Sequence, residues 1–258
     1  MGICGKGLVD VEILKNMELL GPCLWVKSEK ALAFADLHLG YEEMLNATGV
    51  MVPRINFRQV KEELEKNIFP GTGKLDKIII NGDLKHEFGT ILRQEWEEVL
   101  DMLGLLSQHA REIILVKGNH DTILGPIAKF AGVKVSEGHF LEKEKVLFLH
   151  GDKIPAKGKL RAVKTIVIGH EHPCVTVSDG VKAETYKCFL WGKFRGKNLI
   201  VLPSMNFVAM GSDIMRRKTI SPLIKNPGEF EVFAVEGKEA FGLGKLRGLV
   251  GHSKKLVM

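Results

Sequence analysis

Apolar residues in the first half of the chain fall into short runs that alternate with stretches of helical spacing. Leu24-Trp25-Val26 and Ala31-Leu32-Ala33-Phe34-Ala35 predict two strands flanking a charged turn at Ser28-Glu29-Lys30. Phe57, Val60, Leu64 and Ile68 lie on one helical face, so an amphipathic helix is expected from Phe57 to Ile68, ended by Pro70-Gly71-Thr72-Gly73. Ile78-Ile79-Ile80 reads as a buried strand, Ile91 to Leu106 as a second amphipathic helix, and Ile113-Ile114-Leu115-Val116 as another strand. A short helix over Thr122 to Phe130 follows, with Asp121 placed to cap it. Alternation of this kind marks a parallel α/β arrangement.

After about residue 133 helical spacing gives way to strand-like runs at Val146–Leu149, Thr165–Ile168, Lys187–Trp191, Leu199–Leu202 and Phe230–Val235. They predict a second sheet packed on the first. No repeat, low-complexity linker or composition break divides the chain, so a single domain over residues 1–258 is expected. Within it, residues 203–228 read as a long, partly ordered loop, and the Gly- and Lys-rich residues 242–258 as a mobile tail.

Composition narrows the class. The 258 residues are 45% hydrophobic and 26% charged, which excludes disordered, collagen-like and coiled-coil chains. A formal net charge of +6 suits an anionic partner without establishing one. Arg216-Arg217-Lys218 and Lys254-Lys255 read as solvated charge; if they track a nucleic acid, binding weakens steeply with salt. The four cysteines form no C-x-x-C pair, which favours reduced thiols and a cytoplasmic setting. The N-terminus has no apolar signal region and no run of 18 apolar residues occurs, so no membrane association is expected.

The chemistry lies where strands end. Asp36-Leu37-His38, Gly82-Asp83-Leu84-Lys85-His86, Gly118-Asn119-His120-Asp121, His150-Gly151-Asp152 and Gly169-His170-Glu171-His172 each begin as an apolar run stops. Ligands of α/β folds gather at that edge, so the five pieces can meet in one crevice. Six of the nine histidines lie in these motifs. Imidazole, carboxylate and one Asn amide oxygen together form a ligand set for borderline divalent metals such as Mn, Fe, Co, Ni or Zn. An all-oxygen Ca or Mg site needs no such imidazole content.

In this order the motifs resemble the calcineurin-like metallophosphoesterases, whose pattern runs D-x-H, G-D, G-N-H-D/E, H and G-H-x-H. The resemblance spans about residues 31–172 and implies a four-layer α/β/β/α sandwich of two mixed sheets with flanking helices. It also implies two divalent cations, with manganese favoured. Asp36, His38, Asp83 and His172 would hold one, and Asp83, Asn119, His150 and His170 the other, with Asp83 as the bridge. Two cations about 3.5–4 Å apart need such a bridging anion, and a water between them ionises near neutral pH and can attack phosphorus in line.

The resemblance gives no metal to His120, which is the expected proton donor to the leaving oxygen, oriented by Asp121 or Asp36. His86 makes G-D-x-x-H, similar to the nuclease branch that includes SbcD, and it stands in place of the Asp-Arg-Gly of phosphoprotein phosphatases. His120 and His86 are therefore the candidate catalytic residues, and the expected reaction is hydrolysis of a phosphodiester. Asp36–Gly40, Val52-Pro53, Gly169–Pro173, Cys188–Trp191 and Leu199–Ser204 resemble the small PdeM-type phosphoesterases of bacteria and archaea, and no nuclease capping domain is seen. The expected substrate is a small, cyclic or single-stranded nucleotide ester. A nucleic-acid-binding accessory role and a phosphomonoesterase are the alternatives, and self-association stays open. Glu171 is expected to point away from the site, Trp25, Trp96 and Trp191 to be core, and Asp152 to be structural.

Overall fold

The computed structural model describes residues 11–87, 93–121, 131–178 and 181–249. Among the described residues, sixteen strands form two mixed sheets. The first runs in chain order through β1 (Val11–Leu14), β2 (Met17–Leu20), β3 (Cys23–Val26), β4 (Ala31–Phe34), β5 (Leu75–Asn81), β6 (Ala110–Val116) and β7 (Lys134–Ser136). Pairing is antiparallel from β1 to β4 and parallel from β4 to β7.

The remaining strands are β8 (His139–Leu141), β9 (Val146–Phe148), β10 (Thr165–Ile168), β11 (Pro173–Ser178), β12 (Ala183–Phe194), β13 (Lys197–Val201), β14 (Ser212–Asp213), β15 (Glu231–Glu236) and β16 (Glu239–Lys245). Their order is β14-β11-β12-β13-β10-β9-β8, with the β15–β16 hairpin joined to β12. In this sheet β9, β10 and β13 run parallel.

Period-two alternation sorts the first sheet's side chains between two cores. Leu32, Phe34, Ile78, Ile80, Ile113 and Leu115 face a helix layer. That layer holds α1 (Tyr41–Ala47), α2 (Asn56–Glu62), α3 (Phe69–Thr72) and α4 (Arg93–His109). The other face, through Ala33, Ala35, Ile79, Ile114 and Val116, meets Phe148, Val167, Phe189 and Ile200 of the second sheet. The second sheet's outer face is covered by Leu160, Val163, Leu223 and Ile224. No helix among the described residues is long and apolar enough to cross a membrane.

Several expected elements shift at their edges. The helix begun at Asn56 does not stop at Pro70: it widens into a π-turn at Glu63–Ile68 and continues as α3. Pro70 sits in the first turn of α3, where its missing N–H costs nothing, and Gly73 (φ 61°) ends the run. Helix α1, β1 and β2 were not apparent from periodicity, being short and interrupted by Glu42, Glu12 and Glu18. Gly242–Lys245, read as the start of a tail, belongs to β16, while residues 250–258 lie outside the described residues. So does the helix expected over Thr122–Phe130, and so do Ile91 and Leu92 at the start of α4's predicted span.

Candidate metal centre

The cluster stands where parallel strands end. Asp36 and His38 follow β4, Asp83 and His86 follow β5, Asn119 and His120 follow β6, His150 follows β9, and His170 and His172 follow β10. The backbone turns sharply at these ends. Asp36 (φ 56°), His38 (46°), Asp83 (44°), His170 (66°) and His172 (47°) are all left-handed, a conformation that L-residues hold only when the surroundings fix it. Two glycines are required by close approach. A Cβ on Gly82 would lie 2.1 Å from His150 Nδ1, and one on Gly118 would lie 2.1 Å from Asp83 Oδ1.

The fixing contacts come from residues that carry no metal chemistry. Ser204 Oγ donates to Asp36 O (2.7 Å), and Met205 N donates to Ala35 O (2.9 Å). Asn56, fully buried, donates from Nδ2 to Leu37 O (2.9 Å) and accepts at Oδ1 from Phe207 N (2.9 Å). The Asp121 carboxylate accepts from the amides of Gly118 (2.9 Å) and Leu84 (3.1 Å), tying two ligand loops together. Asn81 Nδ2 donates to Leu149 O (2.9 Å), which joins the end of β5 to the end of β9 across the two sheets.

All seven residues expected as metal ligands come together. Ligand atoms of Asp36, His38, Asp83 and His172 lie within 4.8 Å of one another, as do those of Asp83, His150 and His170. In the first group His38 Nε2 is 3.2 Å from His172 Nε2, and His172 Nε2 is 3.4 Å from Asp36 Oδ2. In the second, His150 Nε2 is 3.1 Å from His170 Nδ1 and 2.8 Å from Asn119 Oδ1. One oxygen, Asp83 Oδ2, faces both groups, 3.8 Å from His38 Nε2 and 3.3 Å from His150 Nε2.

Burial and crowding set the charges. Burial, reinforced by the neighbouring charge of His172, holds His38 well below the ordinary histidine value. Burial and His150 lower His170 as well. Burial would raise Asp83, but His150 and His38 outweigh it and keep the carboxylate ionised. Burial opposes charge on His150, yet its hydrogen bond to Asp83 and the charge of Asp36 raise its affinity for a proton. The set thus places the ionised Asp83 carboxylate among imidazoles, of which burial keeps His38 and His170 neutral with lone pairs available. Asp36 Oδ1 and His150 Nδ1 are buried without any hydrogen-bond partner. Orphaned donor atoms of these types, with ring nitrogens converging on one another, fit two divalent cations.

His86 and His120 lie at the mouth of the cluster. His86 Nδ1 is 3.2 Å from His38 Nδ1, and the His86 and His120 rings stack with centroids 5.1 Å apart. His120 N donates to Asp83 Oδ1 (2.9 Å), while its Nδ1 meets the His86 carbonyl. The ring is therefore set by a backbone carbonyl, a partner that sequence reasoning, with Asp121 or Asp36 in view, did not offer. Burial and the charge of His120 bring His86 down to about 4, and burial and the charge of Asp83 push Asp121 up to about 7. Glu171 points away from the cluster, as expected: its buried carboxylate accepts from the amides of Ile220 and Ser221. Trp25 and Trp96 pack on the helix-side core and Trp191 on the inter-sheet core.

Asn56 and Ser204 were not singled out as site residues. Ser204 had a signal, the first polar residue after the apolar run Leu199–Leu202 and Pro203. Asn56 had none, because its role depends on Phe207, 151 positions away.

The whole fold resembles that of Pseudomonas putida nuclease MPE, with 19% identity, a TM-score of 0.59, and coverage of 91% of this chain and 98% of that one. A conserved uncharacterized protein of Streptococcus pneumoniae TIGR4, a predicted phosphoesterase, is more remote: 15% identity, TM-score 0.32, with 83% and 97% covered. No curated protein matches the chain. Residues 30–174, which span every strand end described above, match the family of calcineurin-like phosphoesterases, and the chain belongs to that family.

Proposed function

We propose that the protein is a two-metal phosphodiesterase acting on small, cyclic or single-stranded nucleotide esters. The observation that carries the reading is the shared Asp83 carboxylate oxygen, which faces His38 on one side and His150 on the other. Asp36, His38, Asp83 and His172 would hold one cation, and Asp83, Asn119, His150 and His170 the second. Bound there, divalent cations, manganese first, neutralise phosphoryl charge and acidify water.

The chain's own groups supply the rest. His120 directs Nδ1 at a carbonyl oxygen, which fixes Nδ1 as a protonated nitrogen. When the ring also carries a proton on Nε2, that proton can pass to the leaving oxygen and leave the neutral Nδ1–H ring behind. His86, stacked on His120, orients the ester beside it. His86 in place of an Asp-Arg-Gly arginine favours a diester, which carries one charge less than a monoester. A reducing, cytoplasmic setting belongs to the same proposal and is supported by the free, buried thiols of Cys23, Cys174 and Cys188.

The test is a panel of diesters and monoesters on protein loaded with manganese, iron, cobalt, nickel or zinc. Faster turnover of diesters, with bis(4-nitrophenyl) phosphate above 4-nitrophenyl phosphate, is expected. Monoester preference, or no turnover with any divalent cation, would sink the proposal.

A further inference from the structure

A groove of about 180 Å³ shares only His150 with the candidate metal ligands. Its wall includes Lys117, Leu149, His150, Asp152, Lys153 and Lys159. His150 belongs to both, so the groove abuts the cluster through that residue. The sequence loads this region with cations. Lys117 immediately precedes Gly118-Asn119-His120, and Lys153, Lys157, Lys159 and Arg161 follow His150 with no Asp or Glu among residues 153–161. The 3₁₀ turn Lys157–Leu160 buries Leu160 in the outer core of the second sheet and leaves Lys157 and Lys159 exposed.

Two carboxylates oppose the lysines. Glu137 lines the groove and takes Lys153 Nζ at 3.4 Å, and Asp152 is the other. The ammonium groups of Lys117 and Lys159 have no ion-pair partner among the described residues. With Lys153 paired to Glu137, Lys117 and Lys159 against Asp152 leave the groove wall net positive, which concentrates anions there. Ile154, 42% exposed, and Pro155 add an apolar edge suited to a sugar or base.

We propose that this groove is a second phosphate subsite, holding the phosphate next to the scissile one in a single-stranded oligonucleotide. A groove of this size admits one backbone and no duplex. A dinucleoside monophosphate leaves it empty, so the protein prefers a strand to a minimal diester. For hydrolysis the inference rests on the phosphodiesterase reading above; for binding it stands alone.

Both halves can be measured on the manganese-loaded full chain. Anisotropy of a labelled, cleavage-resistant phosphorothioate oligothymidylate compares Lys117→Met/Lys159→Met with the exposed control pair Lys61→Met/Lys66→Met. The groove variant is expected to bind about tenfold more weakly and to lose about 0.7 from the slope of log K against log salt, while the control stays within about twofold. Equal binding by the two variants overturns the subsite whatever hydrolysis shows, and so does tighter binding of a phosphopeptide of equal charge. In kinetics, a trinucleotide should exceed a dinucleoside monophosphate about tenfold in kcat/KM, and the groove variant should abolish that advantage. An advantage equal in both proteins contradicts the proposal. Groove-specific loss of binding in a protein without turnover keeps the subsite and removes the phosphodiesterase reading.

Discussion

The half of the cluster holding Asp36, His38 and His172 stands entirely on left-handed backbone, at φ 56°, 46° and 47°. In the half holding Asn119, His150 and His170, only His170 does, at 66°. Each such residue costs on the order of 1–3 kcal/mol, so the first half needs more support than the second. The support is visible. Ser204 and Asn56 grip the carbonyls of Asp36 and Leu37. Ser212 N donates to His172 O (2.8 Å), and Lys187 Nζ donates to Ala209 O (3.0 Å) in the loop leading there. The first half therefore relies on remote residues gripping its left-handed carbonyls, and the second on its strand ends together with Asp121 and Asn81.

The sharpest way to break this comparison is Asn56→Ala. It leaves the buried Leu37 O and the part-buried Phe207 N unpaired, at a cost of about 2–4 kcal/mol in urea unfolding. In a metal titration of the folded variant, the cation at Asp36, His38 and His172 should weaken about tenfold or more, while the other keeps its affinity. Equal weakening of both would show that the two halves do not differ in support.

A smaller effect tests the outer brace. Burial, only partly offset by Cys174 and Asp36, lowers Lys187 to about 8. The folded protein therefore binds fewer protons than the unfolded chain between that value and the ordinary 10.5. Stability should rise with pH across this window, and the full deficit, up to about 3 kcal/mol, should stand below pH 8. Lys187→Met should remove that rise in unfolding curves taken at pH 8 and above. An unchanged profile would mean that the ammonium is solvated.

Much of this was legible in the sequence because the ligands are chemically conspicuous. Asp, Asn and His at the ends of Ile- and Val-rich runs mark both the strands and their functional edge. The inner strands β4, β5, β6 and β10 declare themselves by continuous apolar runs. What was not legible depends on contacts remote in sequence. Glu42 hides α1 from periodicity because it lies inward, accepting from the amides of Ile55 and Asn56. Pro70 looked like a helix stop, but a preceding π-turn re-phases the helix so that the proline opens a new turn. Residues 203–228 read as a long, partly ordered loop by composition, but composition does not name what orders its first part, which Ser204, Asn206 and Lys187 hold by hydrogen bonds.

The central claim is that Asp83 serves two cations at once, and metal analysis of purified variants tests it most directly. Wild type and His120→Ala should each retain about two equivalents per chain, while Asp83→Asn should lose both. An Asp83→Asn protein that keeps one cation at wild-type affinity, or a His120→Ala protein that loses metal to the same extent, would contradict the shared-ligand account.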